Sequence, residues 1–235
     1  MTLLWICFAL FLLYFVVFET WFGLTKYKKI MQAINDGRMP KTRLYTRLMT
    51  GLWIPAGIVV LLSATGSFTL DGFGLRWFKL NDQKWLLYIA SVLAGVYFLY
   101  LVYSLVALRI NAIKKVSISQ KIPNEVKVLL PITPKEKLVW ICVAITAGIT
   151  EELLFRGFFF NLMEQLFPSL NVFIILVISM LIFGVGHLYQ GVSEAVKPML
   201  LGLVFGIFRI AFGTIIPCII LHAMQDLCAV DMINE

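Results

Sequence analysis

Apolar residues dominate this chain in long blocks, separated by shorter polar and basic stretches. A helix needs about 20 mostly apolar residues to cross a bilayer. Runs of that kind occupy roughly 2–24, 48–66, 85–108, 138–160, 170–189, 196–212 and 214–231. The pattern predicts an all-α membrane protein, a polytopic helical bundle of about seven transmembrane helices with an intramembrane polar cavity. The count becomes eight if the 138–167 stretch breaks near its acidic pair or a loop re-enters. The last two runs are divided only by a turn at Gly213 and Thr214. Pro217 then falls in the first turn of the final helix, where its missing N–H costs little. The first run, Thr2 to Leu24, is too long for a signal-peptide core and has no basic stretch before it, so it reads as a retained span.

Composition sharpens this picture. The 235 residues are 60% hydrophobic and 14% charged, with a mean hydropathy of +0.90. Soluble domains carry roughly 25% charged residues, and no soluble fold of this length could hide so much apolar surface. Residues 1–235 therefore read as a single transmembrane domain. The net charge of +7 does not imply nucleic acid, because the basic residues cluster between the apolar runs, where they set topology and meet lipid headgroups. Seven Lys or Arg side chains fall between the first and second runs and seven more between the third and fourth, whereas 67–84 holds three and 161–169 none. The positive-inside rule puts 25–47 and 109–137 in the cytoplasm and Met1 outside. Cys7, Cys142, Cys218 and Cys228 all lie in apolar runs without a C-x-x-C pair, so each reads as a small buried hydrophobe. Gly202 and Gly206, four apart, read as a close helix contact.

Against that apolar background the polar residues inside spans stand out. An ionisable side chain at bilayer depth is expensive and faces a protein interior or a wet cavity. Three late runs carry such groups: Glu151, Glu152 and Arg156 in the first, His187 after Phe183-Gly184-Val185-Gly186 in the second, and His222 with Asp226 in the third. His187 and His222 are the only histidines of the chain. Glu152 and Arg156 are one helical turn apart and can pair. Glu151 points about 100° away and gains no partner from Arg156, which leaves a buried carboxylate suited to general-base work. His222 and Asp226 are also one turn apart, so the carboxylate can accept the imidazole N–H and fix its tautomer. Other intramembrane chemistries fit less well. There is no H-E-x-x-H pair and no G-x-S-x-G elbow in a span, and an aspartyl dyad lacks a second well-placed aspartate.

The order E-E-x-x-x-R, then F-x-x-x-H, then H-x-x-x-D/N, each on its own late span, resembles the CAAX prenyl endopeptidase and bacteriocin-processing family (the CPBP or Abi group). The resemblance rests on Glu151, Glu152, Arg156, Phe183, His187, His222 and Asp226, and covers roughly 138–231, the catalytic core on this reading. It implies an intramembrane endopeptidase whose site is accessible from the cytoplasmic side. Glu151 would activate water with help from His187, His222 would stabilise the oxyanion, and Glu152 and Arg156 would shape the site from behind. The prenyl-processing branch typically has asparagine where Asp226 stands. Ionised Asp226 cannot donate to an oxyanion, so its expected role is to orient His222.

Metal is left open. Glu151, Glu152 and Asp226 against Arg156 leave an excess of negative charge. A divalent cation such as zinc, held by Glu151, His187 and His222, would cancel it. Protonation would cancel it equally, and the metal-free route is slightly preferred. The expected partners are membrane lipids and an apolar peptide or lipid-modified protein substrate, with no nucleic acid. The expected location is a cell membrane, with a prokaryotic plasma membrane favoured by the short chain, and the contexts the family offers are CAAX-like processing, bacteriocin processing and self-immunity. A non-proteolytic membrane scaffold or immunity protein is the alternative, and a proton-coupled carrier is a third reading, weakened by the lack of repeat symmetry.

Overall fold

The computed structural model describes residues 1–233, with the backbone alone described at Asn124 and Glu125. The final two residues of the expected 1–235 domain lie outside the described residues. Helices account for nearly all of the regular structure, and no strand occurs among the described residues. The protein is an all-α membrane protein, as the hydropathy pattern predicts.

Among the described residues, five helices are long and apolar enough to cross a membrane. They are α1 (Thr2–Asn35), α2 (Lys41–Ser63), α3 (Lys84–Ile110), α6 (Pro134–Leu166) and α8 (Val192–Phe212). Between α3 and α6 run the short helices α4 (Ala112–Lys121) and α5 (Asn124–Lys127). The other two apolar runs form shorter helices, α7 (Val172–Gly186, 15 residues) and α9 (Ile216–Leu227, 12 residues). At 1.5 Å per residue these reach about 22 and 18 Å, short of the roughly 30 Å hydrocarbon core.

The helices overrun the apolar runs for local reasons. α1 continues past Leu24 because Tyr27 and Met31, one turn apart, stay buried against Leu44 and Leu129. α6 starts at Pro134 because Thr133 and Glu136 form a capping box. Thr133 Oγ1 accepts from the Glu136 N–H at 3.2 Å and the Glu136 carboxylate accepts from the Thr133 N–H at 3.1 Å, satisfying N–H groups that a helix start otherwise leaves open. Pro134 at the first position needs no partner. α7 is capped by Asn171, whose side chain accepts from the Phe173 N–H at 2.9 Å.

α6 does not break at its acidic pair. It widens instead: Leu153–Phe159 is a π-turn that starts directly after Glu152, and such turns concentrate at functional sites. The turn is buried throughout and packs on α1, where Phe11 and Phe15 meet Phe155 with ring centroids 5.6 and 4.9 Å away. α1 has its own π-turn at Leu13–Glu19.

The connection between α2 and α3 is folded onto the α8–α9 turn. Thr214 Oγ1 donates to the Gly74 and Arg76 carbonyls, and Arg76 Nε donates to the Gly213 carbonyl at 2.8 Å. Arg209, a buried cation on α8, donates to the Gly72 carbonyl at 3.2 Å and the Arg156 carbonyl at 3.3 Å. One guanidinium thus ties this loop to the π-turn of α6. On the far side of the bundle, Tyr45 and Lys41 donate to the Leu129 and Leu130 carbonyls, anchoring the connection between α3 and α6.

Candidate active site

Site geometry starts from how closely α6 and α9 approach. A Cβ on Gly148 would lie 2.9 Å from the Ala223 nitrogen and from the Ile219 carbonyl oxygen. Glycine is therefore required for the two helices to touch there, one turn before Glu152 and beside His222. Trp140 reinforces the contact by donating its indole N–H to the Asp226 carbonyl at 2.9 Å.

That approach puts His222 among three carboxylates. Its Nδ1 lies 2.7 Å from Glu152 Oε1, a hydrogen bond across 70 residues of chain. Its Nε2 lies 3.8 Å from Glu151 Oε2 and 3.8 Å from Asp226 Oδ2, within ion-pair range and too far for direct hydrogen bonds. Glu152, from α6, accepts the imidazole N–H on the Nδ1 side, while Asp226, on the same helix as the histidine, flanks Nε2.

The adjacent glutamates are divided by exposure. The Glu152 side chain is fully buried and Arg156 is 1% exposed, whereas Glu151 is 15% and Asp226 29% exposed. Glu151 and Asp226 thus lie on the more open side, and Glu152 and Arg156 lie beneath. The expected pairing of the latter two is present, with Arg156 Nη1 3.0 Å from Glu152 Oε1. One Glu152 oxygen therefore accepts from both Arg156 and His222, while Glu152 Oε2 and Arg156 Nε and Nη2 have no partner among the described residues. The guanidinium lies 4.5 Å from the centroid of the Phe183 ring, a favourable cation–π arrangement when desolvated. Gly202 leaves it room, since a Cβ there would meet Arg156 Nη2 at 2.9 Å. Gly206 packs on Leu176, so both glycines mark close packing as expected.

His187 caps the C-terminus of α7. Its Nδ1 is 2.8 Å from the Phe183 carbonyl, one turn back, and the Phe183 ring lies between the two histidines, 4.7 Å from His187 and 6.4 Å from His222 by centroid. Glu151, Glu152, Arg156, His222 and Asp226 thus gather where α6 and α9 meet, and His187 on α7 adjoins them through the Phe183 ring. Sequence reasoning did not pick out Tyr189, two residues past His187, whose ring lies 6.2 Å from the His187 ring by centroid.

For metal, the donor types are suitable, but among the described residues no three His, Cys, Asp or Glu side chains come together in a way that could hold an ion.

Residues 133–228 match the family described as type II CAAX prenyl endopeptidase Rce1-like. The matched segment runs from the Thr133 cap to the end of α9 and holds all three motifs, so the resemblance read from them is borne out. The fold is that of a multi-pass membrane protein, and its segment 133–228 is similar to that family. No curated protein and no solved structure matches the chain.

Proposed function

We propose that this protein is an intramembrane endopeptidase in which Glu151 activates the attacking water and His222 stabilises the oxyanion. The observation that carries the reading is the two-sided environment of His222, held by buried Glu152 at Nδ1 and facing Glu151 and Asp226 at Nε2. With Nδ1–H committed to Glu152, a protonated ring presents Nε2–H to the carbonyl oxygen under attack. A positioned donor of this type is worth about 3 kcal/mol in the transition state. Glu151, beside it and partly open at 15% exposure, accepts a proton from water and passes it to the departing amine. His187, its Nδ1–H donated to the Phe183 carbonyl, offers Nε2 as an acceptor that helps position the water. Glu152 and Arg156 hold the frame. No step here requires a metal.

The substrate is an apolar or lipid-modified peptide segment. Leu154, one turn after Glu151, lines an apolar cavity of about 600 Å³ between α1 and α2, together with Phe158, Phe11, Trp21 and Pro55. A hydrocarbon chain lying there would bring an attached peptide towards Glu151. The basic connections 25–47 and 109–137 support cytoplasmic access to the site, and processing of bacteriocin-like peptides or self-immunity is a compatible context. The test is purified protein in detergent incubated with farnesylated and unmodified peptide libraries, read by mass spectrometry, with and without chelator. Cleavage by wild type and none by Glu151→Ala at equal folded yield is expected. A wild type that cuts neither library would favour a scaffold instead.

A further inference from the structure

We propose that Phe183 and Phe205 are positioning residues, an aromatic cradle that holds the Arg156 guanidinium and, through it, the Glu152–His222 pair; the effect on turnover rests on the endopeptidase reading above. Hydrogen bonds alone leave Arg156 under-determined. Its Nη1 donates to Glu152 Oε1 at 3.0 Å, while Nε and Nη2, both buried, have no hydrogen-bond partner among the described residues. A guanidinium often grips a carboxylate through two parallel bonds. A single bond lets it pivot, and Glu152 with it. Yet His222 Nδ1 relies on that same Glu152 oxygen, at 2.7 Å. Another contact must fix the cation.

Two rings do so. The Phe183 centroid, from α7, lies 4.5 Å from the guanidinium carbon, and that of Phe205, from α8, lies 5.9 Å from it. Both fall within the reach of about 6 Å over which a ring attracts a cation. Phe183 and Phe205 are buried, so water does not screen the attraction. The same rings flank the His222 imidazole, with centroids 6.4 and 5.8 Å away. Arg156 and His222 therefore share two aromatic neighbours as well as one carboxylate oxygen. Each ring is anchored in turn. Phe183 meets Phe155 of the π-turn edge-on at 4.9 Å. Phe205 meets Tyr97 of α3 edge-on at 6.2 Å, and its carbonyl accepts from Cys218 Sγ of α9 at 3.3 Å. Gly202, one turn before Phe205, completes the fit, since a Cβ there would lie 2.9 Å from Arg156 Nη2 and 3.4 Å from the Phe183 ring. A ring face attracts the cation without offering an oxygen that would compete with Glu152 for it.

The test uses full-length protein in detergent and the best-cut peptide of the farnesylated or unmodified library. Phe183 or Phe205 is replaced by mono-, di- and trifluorophenylalanine, which weaken the pull on a cation stepwise with little change in ring size. At position 183 kcat is expected to fall with each added fluorine, reaching about tenfold at three, and at the more distant 205 about threefold. KM should stay constant, and the unfolding temperature should decline in the same order. A ring that only fills space would not follow the fluorine count. Phe183→Leu and Phe205→Leu lose the ring face outright and should lose more activity than the trifluoro forms; if either fails to fold, the fluorinated series carries the test. A kcat flat across both series, or a loss confined to KM, would overturn the cradle and leave the protease reading standing. A wild type that cuts nothing would overturn the endopeptidase reading. The unfolding series then decides the cradle by itself, a graded fall supporting it and no trend overturning it.

Discussion

Glu152 and His222, 70 positions apart, share a hydrogen bond of 2.7 Å in a site where the Glu152 side chain is fully buried. The bond assigns different duties to two adjacent, chemically identical residues. Glu152 is sealed beneath the histidine and fixes its orientation, while Glu151, one residue earlier, sits on the open side. The division follows from helix geometry, since neighbouring side chains diverge by about 100°.

Arg156 is the cation that makes a buried Glu152 tolerable. Its removal by Arg156→Ala leaves a carboxylate at zero exposure with the His222 imidazole but without its guanidinium, and breaking a buried pair costs about 3–5 kcal/mol. The expected outcome is a marked fall in thermal stability and folded yield in detergent. Arg156→Lys, which keeps the charge and loses the planar stack on Phe183, should fall between. Differential scanning fluorimetry checks both.

Gly148 holds no chemical group, yet the site depends on it. Gly148→Leu must push α9 away, because backbone atoms of Ile219 and Ala223 stand where its Cβ would go. Peptide cleavage is expected to fall at least tenfold while the protein still inserts and folds, with Gly148→Ala milder. A kinetic assay beside size-exclusion chromatography separates the two effects.

Arg209 joins the Arg156 carbonyl in the π-turn to Gly72 in the folded-back loop. Arg209→Met should release that loop, seen as faster hydrogen exchange and protease nicking within 64–83. Cleavage activity should drop several-fold through the loosened π-turn.

The metal-free reading has its own check. Cleavage is expected to survive prolonged chelation without loss. Activity abolished by chelator and restored by zinc would instead require Glu151, His187 and His222 to draw together around an ion.

Much of this was legible in the chain because hydropathy and helical spacing act locally. The membrane class, the polar residues of the three motifs and the Glu152–Arg156 pair one turn apart all follow from short-range pattern. The bond between Glu152 and His222 does not, since it depends on how far α9 slides along α6, and that register is set by Gly148 against Ala223. Nor did the pattern distinguish long spans from short: the runs at 170–189 and 214–231 are apolar enough to cross, but His187 caps α7 early and α9 is only 12 residues long. The π-turn after Glu152 leaves no trace in an apolar run, because Leu, Phe and Gly are at home in either winding. Tyr189 was hidden for a similar reason: its position rests on Gly23, more than 160 residues away.

The central claim is that Glu151 and His222 act on one peptide bond together, and a double-mutant cycle tests it most directly. Glu151→Gln and His222→Ala are each expected to lower kcat by about a thousandfold or more. Because residues that act as a unit are not additive, the double variant should be no slower than the worse single one. Losses that multiply, or a Glu151→Gln variant that cleaves at the wild-type rate, would contradict a shared site.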